Sequence, residues 1–370
     1  MFKWRYMIGD LEVGSISDPI WQGPEGQPLA LEGPNTIEEL DSERVDMARY
    51  ASILPVDPDL FVTLGAGMTP LIDGVLAGRP VKFKLDSLLP TGSFKDRGAA
   101  VSVAHLRQIG TRRIVIDSSG NAAASMSAFC AAHGIECVVY APATASPGKL
   151  VQSAAYGSQV VLVEGAREDV ATAAQDAATA SDDVSYVSHN WSPVFAEGVK
   201  TWAIEVWEQL DRQLPRRVFV PTGGGSALAG AHRGFAATGG MPALIACQPA
   251  ACAPVALAAS AGAASVTGVQ PQSTIAEGAR ISDPPRDSML LDAISDSDGW
   301  ASAITEEQIR AACLALWRQG IYAEPTAALG AAAFIQAVSS GVDLDGISVV
   351  LITGSGLKAT ETVQQILEED

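Results

Sequence analysis

The sequence has few aromatic residues, few histidines and a shortage of positive charge. Aromatic side chains make up 6% of the 370 residues, there are four histidines, and 24 lysines and arginines face 42 aspartates and glutamates, which gives a net charge of -18. Such an acidic chain repels DNA, RNA and anionic membrane surfaces. The shortage of aromatic residues favours helices packed closely on a sheet over a large β-sandwich. We therefore expect no nucleic-acid partner and no membrane partner.

The sequence also lacks the patterns of disulfide frameworks, metal sites and membrane helices. Its five cysteines lie mostly among Ala, Val and Leu, and they form no CxxC pair and no Cys/His cluster. This usage is typical of buried free thiols in a reducing compartment, and it predicts no metal site. No run reaches the roughly 20 consecutive apolar residues that a membrane helix needs, so we expect a cytoplasmic protein.

What the sequence does contain is a repeated alternation of strand and helix patterns. Strands are predicted at 81–86, 113–117 and 159–163, with Ala-rich helices between them. A second series begins with one helix over 197–210 and ends with a strand at 348–352. Such alternation is typical of parallel, doubly wound α/β sheets, and a chain of this length favours two domains.

Two segments interrupt this alternation. Residues 1–40 are rich in Gly and Pro, and we expect them to be irregular and to lie across a larger body. Residues 250–268 are rich in Ala and Ser with few charges, which favours a small-residue helix over disorder.

The segment PTGSFKDRGA at 90–99 places a lysine where a helix begins. Lys95 lies between Ser93 and Asp96 in a glycine-flanked turn, and an Ala-rich helical run follows. Taken alone, this pattern indicates a surface turn in which Ser93 caps the helix. The alternative is a lysine held in a pocket where desolvation lowers its pKa, so that it forms a Schiff base or accepts a proton.

Three more polar turns follow predicted strands. Residues 222–227, TGGGSA, can direct backbone N–H groups at an anion, although they lack Walker and Rossmann spacing. Residues 118–121, SSGN, are suited to a carboxylate and a ring hydroxyl, and Thr353 adds a hydroxyl after a late strand. Each turn alone is explained by a helix cap or a tight turn. Because open α/β sheets bind ligands at the carboxyl ends of their strands, the four groups together match pyridoxal phosphate.

The order of these motifs carries a family resemblance. PTGSFKDRGA, SSGNAAAS, TGGGS and the late TGSGLK resemble the fold type II, tryptophan synthase beta-like, pyridoxal-phosphate enzymes. The last motif, with SHN at 188–190, EGVKT at 197–201 and Glu324-Pro325, resembles threonine synthase specifically.

The resemblance implies an α/β protein of two doubly wound domains. The larger, pyridoxal-phosphate-binding domain comprises residues 1–92 and 196–370. The smaller α/β domain, residues 93–195, is inserted into it. The resemblance also implies a homodimer that acts on a small amino-acid substrate.

The resemblance assigns roles to individual residues as well. Lys95 is the catalytic lysine that holds pyridoxal 5'-phosphate as a Schiff base and moves protons. The other expected cofactor contacts are Phe94 beside the ring, Asn121 at the 3'-oxygen, Gly223, Gly224, Gly225, Ser226 and Ala227 at the phosphate, and Thr353 at the pyridine nitrogen. The expected substrate contacts are Ser118, Ser119, Gly120, His189, Asn190 and Phe195.

Two of these positions depart from the threonine synthase pattern, and the first is Ser119, which stands where the family has a threonine. The second is Phe195, which stands where an arginine is expected to bind the substrate phosphate. The resemblance predicts a lyase that converts O-phosphohomoserine and water to threonine and phosphate. These departures leave a second interpretation open, a β-replacement or β-elimination enzyme for a serine- or threonine-like amino acid in specialised metabolism. A third, a non-catalytic ligand-binding protein, is disfavoured because Lys95, Asn121, the glycine loop and Thr353 are all retained.

Overall fold

The computed structural model describes residues 4–18, 20–38, 40–181 and 183–369. It divides into two compact units, which we name after their main sheets. The four-stranded unit comprises Met1–Gly67 and Lys95–Thr201, and the six-stranded unit comprises Met68–Phe94 and Trp202–Asp370. The domain boundaries expected from the sequence, with residues 93–195 as the smaller inserted domain, stay a prediction.

The two units are mixed α/β structures built from thirteen strands and twelve α-helices in the described ranges. The strands are β1 Arg5–Ile8, β2 Leu11–Ser15, β3 Ala30–Glu32, β4 Leu71–Leu76, β5 Arg79–Lys84, β6 Arg113–Ile116, β7 Glu136–Pro142, β8 Gln159–Val163, β9 Val184–Tyr186, β10 Arg217–Pro221, β11 Ala243–Pro249, β12 Trp300–Ile304 and β13 Ser348–Leu351. The helices are α1 Lys95–Gln108, α2 Asn121–His133, α3 Pro147–Ala155, α4 Arg167–Thr179, α5 Pro193–Val199, α6 Thr201–Gln209, α7 Ser226–Ala237, α8 Pro254–Ser260, α9 Asp287–Asp296, α10 Glu306–Trp317, α11 Pro325–Ser339 and α12 Thr360–Glu369.

The six-stranded sheet has the order β12-β11-β10-β13-β5-β4 and is parallel except for β4. Every residue of β10 and β13 is buried, as the apolar sequences RVFVP and SVVL require of parallel strands covered on both faces. The ring of Phe219 on β10 lies 5.4 Å from that of Phe334 on α11 and 6.1 Å from that of Trp300 on β12. Aromatic packing therefore joins three neighbouring elements in this core.

The edge strand β4 was not expected from the sequence. It pairs antiparallel with β5 through a two-residue turn, Ala77-Gly78, in which both residues have positive φ (48° and 74°). Two positive φ values match the strand twist of a tight hairpin, but alanine rarely adopts one. The usual Asn-Gly signal is missing here, which explains why sequence patterns did not reveal the hairpin.

The four-stranded sheet is parallel throughout, with the order β8-β7-β6-β9. Helix α4 covers part of one face, where Val115, Val138, Ala174 and Tyr186 form a small apolar cluster. Helix α1 is buried from Asp96 to Leu106, which its small side chains permit. Because all four strands run in one direction, their carboxyl ends and the turns that follow lie on one edge.

Residues 1–40 were expected to be irregular, and this expectation is wrong for the three strands that they contain. β1, β2 and β3 form an antiparallel sheet in the order β2-β1-β3. Trp4 lies against Gly33, where an added Cβ would come within 2.2 Å of the indole. Short strands with mixed burial leave little apolar periodicity in the sequence, so this sheet escaped prediction.

Two helix predictions also need correction. Within residues 250–268 only α8 is α-helical, and the chain turns away after it at Gly262 with a φ of +62°. The single helix expected over 197–210 is two helices, α5 and α6, separated at Lys200. There the Thr201 hydroxyl donates to the Gly198 carbonyl at 2.8 Å, a local bond that competes with the helical ladder. No helix in the described part of the chain combines the length and hydrophobicity of a membrane-spanning segment.

Candidate active site

Lys95 is the first residue of α1 in the four-stranded unit. Its side chain is partly buried, and its Nζ lies 5.6 Å from the centre of the Phe195 ring. The positive end of a helix dipole does not favour a permanent cation, whereas an aromatic face attracts one. Lys95 is thus an amine held close to an apolar surface, which suits a group that must react and move protons.

The two charged residues that follow Lys95 have structural partners. Asp96 is fully buried and accepts a hydrogen bond from the Ser125 hydroxyl on α2. The Arg97 guanidinium, also fully buried, donates to the Thr201 hydroxyl at 3.0 Å. The charged groups of Asp96 and Arg97 therefore anchor the start of α1 to Ser125 on α2 and to Thr201.

Phe195 lies on α5 and is fully buried. A Cβ added at Gly98 of α1 would come within 2.4 Å of its ring, so the glycine allows α5 to pack directly on α1. The imidazole of His189 meets the same ring edge-on, with the ring centres 6.0 Å apart. The structure thus brings Lys95, His189 and Phe195 together, and Phe195 supplies no positive charge.

His189 follows β9 and has no hydrogen-bond partner at its buried Nδ1 among the described residues. Burial holds its pKa well below the usual value of 6.5, and the positive charges of Lys95 and Arg167 lower this pKa further. The imidazole is therefore neutral near pH 7, with polar nitrogens available for a ligand. The neighbouring Asn190 is buried as well.

The SSGN turn connects β6 to α2, and Asn121 is the first residue of that helix. Ser118 is buried, and its hydroxyl accepts a hydrogen bond from the Gly120 N–H at 3.4 Å. Ser119 and Gly120 are partly exposed, so their polar groups can reach a ligand at the start of α2.

Asp117 precedes this turn and was not singled out from the sequence. It is 6% exposed, and its Oδ1 has no hydrogen-bond partner in the described ranges. Burial raises the pKa of this carboxyl group, while the positive charge of Arg167 opposes the increase. Arg167 begins α4, and its Nη2 lies 3.9 Å from Asp117 Oδ2. Asp117 and Arg167 both follow strands of the four-stranded sheet. This position after a strand is the one signal in the sequence that could have identified them.

The glycine loop of the six-stranded unit connects β10 to α7, a helix of 12 residues that starts at Ser226. A Cβ at Gly223 would come within 2.8 Å of the Ala279 Cα. Gly225 has a φ of +86°, and a Cβ there would come within 2.3 Å of Leu290. The loop therefore needs glycine in order to fit against its neighbours, and it leads the chain into the positive end of a helix dipole. Such a loop fits an anionic phosphate group.

Thr353 follows β13 and is 2% exposed. Its carbonyl accepts a hydrogen bond from the Phe94 N–H at 2.8 Å, while its Oγ1 has no partner within the described chain. An unpaired buried hydroxyl costs free energy, and a ring nitrogen at this point would remove that cost. The Thr353 hydroxyl thus fits the ring nitrogen of pyridoxal phosphate.

The comparisons with known proteins agree with this fit. The family described as pyridoxal-phosphate dependent enzyme matches residues 62–354. The threonine synthase of Methanocaldococcus jannaschii is 32% identical over 347 residues, 90% of this chain and 85% of that protein. The threonine synthase of Mycobacterium leprae is 32% identical over 330 residues, 85% of this chain and 89% of that protein. The structure of maize serine racemase has a TM-score of 0.71 at 19% identity, covering 82% of this chain and 94% of that one, which is a likeness of fold.

The chain therefore belongs to the fold type II, tryptophan synthase beta-like, pyridoxal-phosphate dependent enzymes, as a member of the threonine synthase family. Its cofactor is pyridoxal phosphate, and it is a lyase. The expected family, fold and cofactor are confirmed. The individual site residues stay predictions.

Proposed function

We propose that this enzyme converts O-phosphohomoserine and water to threonine and phosphate. The observation that carries the proposal is the similarity to curated threonine synthases, which extends over 85–90% of the chain. The partly buried amine of Lys95 and the unpaired hydroxyl of Thr353 support it, because this chemistry needs a basic amine and a cofactor held by its ring.

We propose a cofactor-binding role for the following groups. Lys95 would hold the cofactor covalently, Asn121 would donate to its 3'-oxygen, and Phe94 would lie beside its ring. The loop of Gly223, Gly224, Gly225, Ser226 and Ala227 would bind its phosphate, and Thr353 Oγ1 its ring nitrogen. When bound, pyridoxal phosphate supplies an electron sink that stabilises negative charge on the substrate carbons. A neutral hydroxyl at the ring nitrogen makes the sink mild, which suits elimination better than transamination.

Substrate contacts are proposed at the edge of the four-stranded sheet. Ser118, Ser119 and Gly120 would hold the α-carboxylate with hydroxyl and N–H groups at the start of α2. Asn190 and the neutral His189 would donate hydrogen bonds nearer the side chain. Lys95 Nζ would remove one proton from each of the α and β carbons and deliver protons to the α and γ carbons, while phosphate leaves the γ carbon and water adds its hydroxyl group to the β carbon.

One observation favours a second candidate. Phe195 is fully buried against Gly98 where the family pattern expects a phosphate-binding arginine. A substrate without phosphate, such as serine or threonine, would need no cation there. The alternative is therefore β-elimination or β-replacement on such an amino acid.

A turnover assay on the enzyme loaded with pyridoxal phosphate distinguishes the two. With O-phosphohomoserine, we expect threonine and phosphate in equal amounts, measured by amino-acid analysis and a phosphate assay. Release of ammonia and a 2-oxo acid from serine or threonine, without turnover of O-phosphohomoserine, would establish the alternative.

The assignment of Lys95 has its own test. Borohydride reduction followed by peptide mass mapping should place the cofactor on Lys95, and Lys95→Ala should lower kcat by about a hundred- to ten-thousand-fold. Recovery of the reduced adduct on another lysine contradicts the assignment.

We also propose that the enzyme works in the cytoplasm as a homodimer. All five cysteines are buried and unpaired by disulfides, which supports a reducing compartment. Light scattering of the purified protein tests the dimer, and fractionation of the source cells tests the compartment.

A further inference from the structure

The proposed reaction requires positive charge at the substrate phosphate. A phosphate dianion loses its hydration on binding, and charge-assisted hydrogen bonds from a guanidinium offset that loss most effectively. Phe195 cannot supply them. Another cation of the four-stranded unit must therefore serve a phosphate substrate.

Two buried cations near Phe195 are already committed. Lys200 is fully buried, and its Nζ donates to Glu197 Oε2 at 2.6 Å and to Asn35 Oδ1 at 3.0 Å. Its ammonium also lies 5.5 Å from the centre of the Trp4 ring. Arg97 is fully buried beside Thr201. Because their charges and donors serve the fold, neither residue is available to a substrate.

Arg167 differs from both in exposure and in its contacts. Its side chain is 53% exposed, and its sole ion-pair partner in the described chain is Asp117, at 3.9 Å. That distance is longer than a hydrogen bond, so the guanidinium keeps its N–H donors for a ligand. Its charge acts on the His189 imidazole as well as on Asp117.

The topology places these three residues at one edge of the four-stranded sheet. Asp117 follows β6, Arg167 follows β8, and His189 follows β9, and all three strands are parallel in one sheet. Two of the three side chains carry a buried polar atom without a partner, Asp117 Oδ1 and His189 Nδ1. A cation, a neutral donor and an orienting carboxylate therefore lie beside the turn that begins at Ser118.

We propose that Arg167 binds the substrate phosphate in this enzyme, in place of the arginine that the family pattern expects at position 195, with His189 as a second donor and Asp117 as the residue that orients the guanidinium. This inference rests on the proposed function. It makes Arg167 the residue that determines specificity for a phosphate leaving group, and it predicts that inorganic phosphate binds at the same place.

The test compares Arg167→Gln with a matched control, Arg113→Gln. Arg113 lies at the opposite end of β6, where it pairs with Glu136 at 2.7 Å. For Arg167→Gln, KM for O-phosphohomoserine and Ki for inorganic phosphate should both rise about ten- to a hundred-fold, since one or more charge-assisted hydrogen bonds are lost. Binding of L-threonine, which carries no phosphate, should change less than about twofold. Arg113→Gln should match the wild type, and the visible absorbance of the bound cofactor should be the same in all three proteins.

Failure of this inference is distinguishable from failure of the proposed function. If the wild type turns over O-phosphohomoserine and Arg167→Gln leaves KM and Ki unchanged, the role of Arg167 is refuted and the function stands. If the wild type is inert with O-phosphohomoserine but binds inorganic phosphate through Arg167, the function is refuted and the anion site stands. A wild type that neither turns over the substrate nor binds phosphate refutes both.

Discussion

The strands that lead into the proposed site residues differ in burial between the two main sheets of this enzyme. Every residue of β10 and β13 in the six-stranded sheet is buried, whereas no residue of the edge strand β8 in the four-stranded sheet is fully buried. The glycine loop and Thr353 follow the buried strands, while Arg167 follows β8. Close packing holds a side chain in one position, whereas looser packing tolerates substitutions and small movements of the side chain. The glycine loop and Thr353, which are proposed to bind the cofactor, thus follow closely packed strands. Arg167, which is proposed for substrate choice, follows the most exposed strand of the four-stranded sheet.

Buried ion pairs, by contrast, occur in both units. In the six-stranded unit, Lys84 Nζ lies 2.7 Å from Glu205 Oε2, with both side chains fully buried. In the four-stranded unit, Lys200 and Glu197 form the equivalent pair at 2.6 Å. If the two buried ion pairs contribute equally to stability, the two units differ in their apolar packing and not in the contribution of their buried charges.

The largest expected effect tests that equality. Lys84→Met and Lys200→Met should each destabilise the protein by about 3–5 kcal/mol, because each leaves a buried carboxylate without its partner. Urea unfolding, monitored by tryptophan fluorescence, measures the loss of stability. Lys82→Met is the control, since Lys82 pairs with Asp73, a residue whose side chain is 86% exposed, and should cost less than about 1 kcal/mol. A large loss in only one of the two buried variants would show that the units differ in their charges as well.

Acid should weaken the four-stranded unit in particular. His105 on α1 is 5% exposed, and burial lowers its pKa to about 4. The unfolded chain takes up a proton near pH 6.5 and the folded chain only near pH 4, so stability falls as the pH drops through this window. We expect the wild type to lose about 3 kcal/mol more than His105→Gln between pH 7 and pH 4.

Unfolding by urea at several pH values measures this difference. The control is His232→Gln in the six-stranded unit, where the partly exposed His232 imidazole lies 3.1 Å from Asp296. Because that variant keeps the buried His105, it should keep the loss of stability in acid that we expect of the wild type. If the His105→Gln profile also parallels the wild type, burial of this histidine does not control acid stability.

The smallest expected effect compares one substitution in the two sheets. Val350 on β13 is fully buried, whereas Val161 on β8 is only partly buried. Val350→Ala should cost about 2 kcal/mol, from lost apolar burial and the cavity that remains, and Val161→Ala about 1 kcal/mol or less. Equal losses of stability in the two variants, measured by urea unfolding, would contradict the proposed difference in packing between the two strands.

Much of the architecture could be predicted from local patterns. The alternation of β-branched runs and Ala-rich segments correctly located β6, β8, β13 and α2, because parallel strands and buried helices leave strong apolar signals. The antiparallel β4 and the small N-terminal sheet were missed. Their residues are partly exposed, and the positive φ of Ala77 at the β4–β5 turn is imposed by strand pairing and not by its own preference.

The sequence by itself determined the family, the cofactor and the positions of the polar turns, because a lysine at a helix start, a glycine loop and a hydroxyl after a strand are each recognised from residues that are adjacent in the chain. Only the tertiary structure decided which side chains far apart in the sequence come into contact. It pairs Lys200 with Asn35, packs Phe195 against Gly98, and brings Arg167 beside Asp117, which is 50 residues earlier in the chain. Partner choice among charges depends on burial and distance, and these follow from the packing of strands and helices on one sheet.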